Sequence, residues 1–182
     1  DNNFTYQDFL ESGWQRNLNR SNHFQYKENI NALYTSAGYQ KGKWSLQAGL
    51  RAEHTVSDGN SITLDLRNKR SYLNVFPTGF VNYKLSEDHA LKYAYSRRID
   101  RPNYDNLNPF IFYLDPYFYV MGNPGLRPQF TNSNEMTYSY KGEYSATLAY
   151  ADTRQMINEV IIQDAKTGTN ISQNQNIARL KS

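Results

Sequence analysis

Three times along this chain an apolar–polar alternation of period two runs into a short polar turn and resumes on the far side. Met136, Tyr138 and Tyr140 alternate with Glu135, Thr137 and Ser139; Lys141, Gly142 and Glu143 interrupt; Tyr144, Ala146, Leu148 and Tyr150 then alternate with Ser145, Thr147 and Ala149. Strand side chains point to opposite faces in turn, so this spacing specifies a hairpin and no helix gathers these residues on one face. Lys41, Gly42 and Lys43 make a second such turn. After it Leu46, Ala48, Leu50 and Ala52 alternate with Gln47, Gly49, Arg51 and Glu53. Before it, Ile30/Ala32/Tyr34 and Leu33/Ala37/Tyr39 compete for the apolar face. The third turn is 86–89, with Val75, Val81, Tyr83 and Leu85 before it and Leu91, Tyr93 and Tyr95 after. Pro77 and Gly79 predict a bend or bulge in its first arm. A further hairpin is expected from 156–163 through a turn at 166–168, and the first 23 residues read as one strand and a loop.

The connections alternate in length. Three turns have three or four residues, while 57–71 and 96–129 read as long loops. An up-and-down antiparallel sheet sends alternate connections to opposite ends. All short turns therefore gather on one rim and the long loops on the other, the layout of outer-membrane barrels. Each arm supplies the 9–11 residues that a tilted strand needs to cross a bilayer. The expected fold is all-β: a segment of an antiparallel up-and-down transmembrane β-barrel with about seven to nine strands. Tyr/Leu faces meet lipid, and polar faces carrying Arg51, Glu53 and Lys92 line the lumen. Eight strands can close a small barrel, and a piece of a larger barrel fits the pattern equally.

Composition supports this. Mean hydropathy is −0.81, yet aromatics reach 15% with 16 Tyr and 9 Phe. Disordered chains are poor in aromatics. The longest apolar runs are about five residues, against the roughly 20 of a spanning helix. With no cysteine, no disulfide framework or thiolate metal site exists. A net charge of +3 does not point to nucleic acid. No leader pattern opens the chain and it does not start with Met, so a mature or excised piece is expected.

The stretch from Tyr95 to Thr131 carries S-R-R-I-x-R-P, then L-N-P-F, D-P and G-N-P-x-L-x-P-Q-x-T. With LQAGLRAEHT at 46–55 and the hairpin at 133–150, it resembles the outer-membrane β-barrel family of TonB-dependent receptors of Bacteroidetes-type bacteria, over roughly 28–163. The resemblance implies a 22-stranded barrel plugged by an N-terminal domain. Such a receptor takes up a scarce ligand (iron chelate, glycan or peptide) across the bacterial outer membrane, driven through TonB. Residues 1–182 would be part of the single barrel domain, with the plug absent and a long extracellular loop at about 97–129. Implied partners are outer-membrane lipid and lipopolysaccharide, the remaining strands and plug, TonB through the absent N-terminal part, and a possible surface lipoprotein.

Candidate ligand contacts lie in and beside that loop. Tyr104, Phe110, Phe112, Tyr113, Tyr117, Phe118 and Tyr119 offer rigid aromatic faces, though Asn-Pro and Asp-Pro turns make their packing within the loop an equally direct reading. Arg97, Arg98 and Arg101 form a cationic cluster fit for an anionic ligand or a lipopolysaccharide phosphate, or for pairing with Asp100, Asp105 or Glu135. His23, His54 and His89 lack metal-ligand spacing, and no metal or cofactor is expected. Asp105 and Asp115 are the carboxylates that a calcium ion in the loop would draw on. No nucleophile elbow, phosphate loop or metalloprotease pattern occurs, so no enzyme is expected. Two other readings stand beside the receptor: a non-transport barrel or adhesin-like binding protein, and a soluble carbohydrate-binding β domain.

Overall fold

The computed structural model describes residues 1–17, 20–165 and 167–182. The expected turn position Lys166 lies outside the described residues. The strands are β1 (Asn2–Phe4), β2 (Gln7–Leu10), β3 (Gly13–Arg16), β4 (Asn22–Lys41), β5 (Trp44–Ser61), β6 (Leu66–Lys84), β7 (His89–Asp100), β8 (Ile111–Asp115), β9 (Phe118–Met121), β10 (Gln129–Tyr140), β11 (Tyr144–Gln163) and β12 (Asn170–Lys181). One short helical turn, α1 (Tyr104–Leu107), sits between β7 and β8.

Ten strands form one sheet in the order β1-β4-β5-β6-β7-β10-β11-β12-β9-β8, and β2 pairs with β3 apart. The seven long strands follow chain order and pair antiparallel, as an up-and-down meander does. Among the described residues no ladder joins β1 to β8, so the sheet is an open barrel segment. Its two ends meet through rings instead: Phe4 of β1 lies 5.5 Å from Phe110 and 5.9 Å from Phe112.

The turns after β4, β6 and β10 share one rim. Lys141 (φ 52°) and Gly142 (φ 71°) both take left-handed backbone there, as tight hairpin turns require. The backbone N–H of Lys141 donates to the Asp88 carbonyl at 2.6 Å, tying two neighbouring turns together. The opposite rim carries connections 62–65, 101–128 and 164–169.

Four expectations change. Residues 57–71 are not a loop: β5 and β6 stay in register to Ser61–Leu66. Polar residues on both faces hid the strands: the inward face pairs with polar groups of the 101–128 segment rather than with an apolar core. The long connection is 101–128, so Arg97 and Arg98 belong to strand β7. The expected hairpin from 156–163 is present, as the far end of β11 pairing with β12 from Gln163–Asn170 onward. The first 23 residues hold three short strands and the start of β4. At Pro77 there is no register shift against β5; instead the β6–β7 ladder ends one residue on, at Thr78–Ser96. Proline has no N–H to give a ladder.

Register separates the faces. Tyr83, Val81, Leu91, Tyr93, Met136, Tyr138, Leu148 and Tyr150 share the outward face. Glu53, Thr55, Phe76, Ser96, Ser133 and Thr147 share the inward one. Thr137–Thr147 and Thr131–Thr153 hydroxyl pairs, 2.9 and 3.0 Å apart, stud the inner wall. Among the described residues the buried apolar ones are only Phe24, Phe76, Phe110 and Leu126, while Leu33, Leu148 and Tyr144 are exposed. A soluble sheet of this size would bury far more apolar surface. In the first hairpin arm Leu33, Ala37 and Tyr39 face outward, and Ile30, Ala32 and Tyr34 inward.

Candidate functional site

The 101–128 connection does not stand away from the sheet. It turns inward and is strapped to the inner wall at two places. On one side Asn68 Nδ2 donates to the Pro124 carbonyl at 2.7 Å, and the Arg70 guanidinium donates to the Pro124 and Leu126 carbonyls. On the other, Asn176 accepts the Arg127 N–H at 2.8 Å and donates to the Arg127 carbonyl at 2.8 Å; Asn123 donates to the Asn174 carbonyl at 3.2 Å. The loop thus spans from β6 to β12. Gly122 permits its close approach to α1: a Cβ there would sit 2.9 Å from the Asn106 carbonyl and would also collide with the Asn108 carbonyl. Leu126, within the strap, is fully buried.

The start of the loop is fixed by charge. Arg101 Nη2 donates to Glu53 Oε2 at 2.6 Å and to Thr55 Oγ1 at 3.1 Å. Arg51 Nε holds the other Glu53 oxygen at 2.8 Å, and Glu28 stands 3.9 Å from Arg101 Nε. Glu53 is a buried carboxylate flanked by two guanidinium groups, an arrangement that burial permits only when both oxygens are matched. Burial draws the Arg70 guanidinium below its ordinary pKa, with the Arg127 charge adding to the effect; its two carbonyl acceptors compensate.

Between strap and wall lies a cavity of about 500 Å³ lined by Tyr26, Glu28, Asn68, Tyr72, Arg101 and Leu107 among others. Desolvation, then the Glu28 carboxylate, raises the Tyr26 hydroxyl pKa, and the hydroxyl donates to Glu28 Oε1 at 3.3 Å. Prolines 102, 109, 124 and 128 stiffen the rim of the cavity.

Of the residues expected from sequence, Arg101 alone lines this cavity, paired with Glu53 rather than with Asp100, Asp105 or Glu135. Asp100 instead accepts from Gln129 at 2.9 Å. Arg97 and Arg98 are neighbours on one strand and point to opposite faces. Phe110 and Phe112 pack edge-on at 5.0 Å against each other and on Phe4. Tyr113 and Tyr119 pair across β8–β9 at 4.9 Å. Phe118 lies in β9, while Tyr104 and Tyr117 are exposed. Asp115 accepts the Tyr117 N–H at 2.7 Å, a local turn bond. Sequence reasoning missed Tyr26, Asn68, Arg70, Tyr72 and Asn176. They sit on strands with no motif, and the loop reaches them only through the fold.

An all-β meander with an apolar outward face, a polar inward face and a loop folded over the inward face matches a known family over its whole length. The outer membrane protein beta-barrel family model covers residues 1–182. The chain belongs to that family. Its place is the bacterial outer membrane. Among solved structures, the copper transporter OprC superposes with a TM-score of 0.65 at 10% identity, covering 97% of this chain and 29% of that one. The siderophore receptor PirA from Pseudomonas aeruginosa gives 0.52 at 16% identity, covering 97% and 43%. A mutant ferric enterobactin receptor, PfeA, from the same organism and in complex with enterobactin, gives 0.52 at 14% identity, covering 95% and 34%. At these identities the likeness is one of fold. The chain spans less than half the length of each. No curated protein matches it.

Proposed function

We propose that this chain is the mouth-forming part of the barrel of a TonB-dependent receptor, with the plug and the remaining strands supplied by a longer protein. The observation that carries this reading is the inward-strapped loop and its cavity of about 500 Å³ on the inner wall. An adhesin presents its loops outward, whereas this loop shapes a cavity inside the mouth. The volume suits a ligand of chelate or short-glycan size rather than a folded protein. Tyr26, Tyr72, Asn68 and Arg101 are its proposed contacts, and Tyr104, Tyr113 and Tyr117 are exposed aromatic faces that the 101–128 segment offers. Solved relatives in fold are named for copper and for siderophores, which favours a metal complex as cargo. TonB would act through parts of the receptor outside this chain, and a surface lipoprotein could cover the loops.

The test is uptake by the full-length receptor in cells. A panel of iron chelates, oligosaccharides and peptides is offered to strains with and without TonB. The reading expects uptake of one class, lost without TonB and reduced by Tyr72→Ala. Uptake indifferent to TonB would reduce the protein to a passive barrel. Binding of another cell or protein with no uptake would favour the adhesin-like reading.

A further inference from the structure

We infer that the outward face of β7, β10, β11 and β12 carries a binding site for the phosphate of an outer-leaflet glycolipid, built by Arg97, Arg154, Arg179 and Lys181. Register assembles it from three distant stretches of sequence. One ladder row reads Arg97, Asn132, Asp152, Lys181; the next reads Ile99, Phe130, Arg154, Arg179. Four cations face one carboxylate. The adjacent outward positions of β6, Val75 and Pro77, carry no charge, so the feature is a patch rather than a belt.

Its height is what decides its partner. The turn-side row is His89, Tyr140, Tyr144, and three rows of Leu91/Tyr138/Ala146, Tyr93/Met136/Leu148 and Tyr95/Asn134/Tyr150 follow. Arg97 lies eight residues along β7 from His89, and Arg154 ten along β11 from Tyr144. At about 3.3 Å per residue these are roughly 26 and 33 Å along the strand. With strands tilted about 40°, they become about 20 and 25 Å along the membrane normal, the far edge of a lipid-facing band about 25 Å tall. With the short turns on the periplasmic side, that edge is the headgroup level of the outer leaflet.

The side chains are disposed for an anion. Asp152 holds Arg179 through two bonds, 2.5 and 2.7 Å, and lies 3.6 Å from Arg154 Nε, so one carboxylate aligns two guanidinium groups without neutralising both. Arg97 stacks 5.1 Å over Phe130. Its buried Nε has no hydrogen-bond partner among the described residues. Planar forks of this kind match phosphate oxygens bidentately. Tyr95 and Tyr150, one row below, sit where a glycolipid's sugar and acyl roots would lie.

The inference rests on location and geometry, not on cargo. It is tested on the full-length protein extracted from outer membranes, by native mass spectrometry of retained lipopolysaccharide. The variant combines Arg97→Gln, Arg154→Gln and Lys181→Gln; Arg179 is kept so that Asp152 is not orphaned. Heat-modifiable gel migration reports folding. Retention should fall about tenfold in folded protein, and lipid A stripped of phosphate should fail to rebind. If the triple variant does not fold, Arg154→Gln alone, at an exposed position, should still lower retention. Unchanged retention, equal rebinding of the dephosphorylated lipid, or equal displacement by phosphatidylglycerol vesicles would overturn it.

Discussion

At the turn end of the sheet Trp44 leans on Tyr83, ring centroids 4.3 Å apart, and Tyr138, Tyr140 and Tyr144 cluster outward beside His89. The inner wall there carries the Thr137–Thr147 hydroxyl pair at 2.9 Å. At the loop end Thr55, Ser57, Ser61, Asn22 and Glu53 are buried, together with Phe24, Phe76 and Leu126. The turn end relies on ladder hydrogen bonds within the sheet and on lipid outside it. The loop end relies on polar contacts with its own 101–128 segment. One continuous set of strands thus meets two solvents: hydrocarbon needs every backbone group paired inside the sheet, whereas the wet mouth lets a loop pair with the wall instead.

The sharpest way to break this contrast is to orphan a charge at the loop end. Glu53→Ala leaves Arg101 and Arg51 without their carboxylate, and removing one partner of a buried pair costs about 3–5 kcal/mol. Hydrogen exchange of the full-length protein should show 101–128 deprotected while 136–148 stays unchanged. Uniform deprotection would mean that the two ends are one cooperative unit. At the turn end, Leu148→Arg on the outward face should cost about 2–4 kcal/mol in folding into vesicles, whereas Ser145→Arg, at an inward position three residues away, should cost far less. Equal costs would erase the distinction between faces. Gly122→Val should loosen the strap by about 1–3 kcal/mol through steric overlap with the α1 carbonyls, read as greater protease access to the loop with no effect on the turns.

The smallest effect concerns the β5–β6 overhang. Arg67, bidentate to Asp58 at 2.9 and 2.6 Å, holds its carboxyl below the ordinary value. A depressed folded pKa gives stability that is present above the unfolded value, about 3.9, and that is lost as pH falls through the folded one. Pepsin cleavage at 62–65 should therefore rise below about pH 4, and Asp58→Asn should be sensitive already at higher pH. A wild-type tip as labile at pH 5 as at pH 3 would show that the pair contributes nothing.

How far sequence reached follows the same division. The turn end was legible because lipid imposes strict alternation: 133–150 declares its faces residue by residue. The overhang was not, since its outward Asp58, Arg67 and Lys69 and its inward Ser57, Asn68 and Arg70 are all polar and no period survives. Arg97 and Arg98 looked like one cluster because they are adjacent in sequence, but a strand sends neighbours to opposite faces. The partners of Arg101, Arg154 and Arg179 were out of reach, since they depend on register between strands that no local pattern encodes.

The most direct test of two faces in two solvents uses the chain's lack of cysteine. Single cysteines at Tyr138, Leu148, Ser139 and Thr147 in the full-length protein, spin-labelled in outer-membrane vesicles, report access to oxygen against a water-soluble nickel chelate. Labels at 138 and 148 favouring oxygen, with those at 139 and 147 favouring the chelate, is the predicted result. Chelate access at all four positions would contradict a lipid-facing outer surface and with it the membrane barrel.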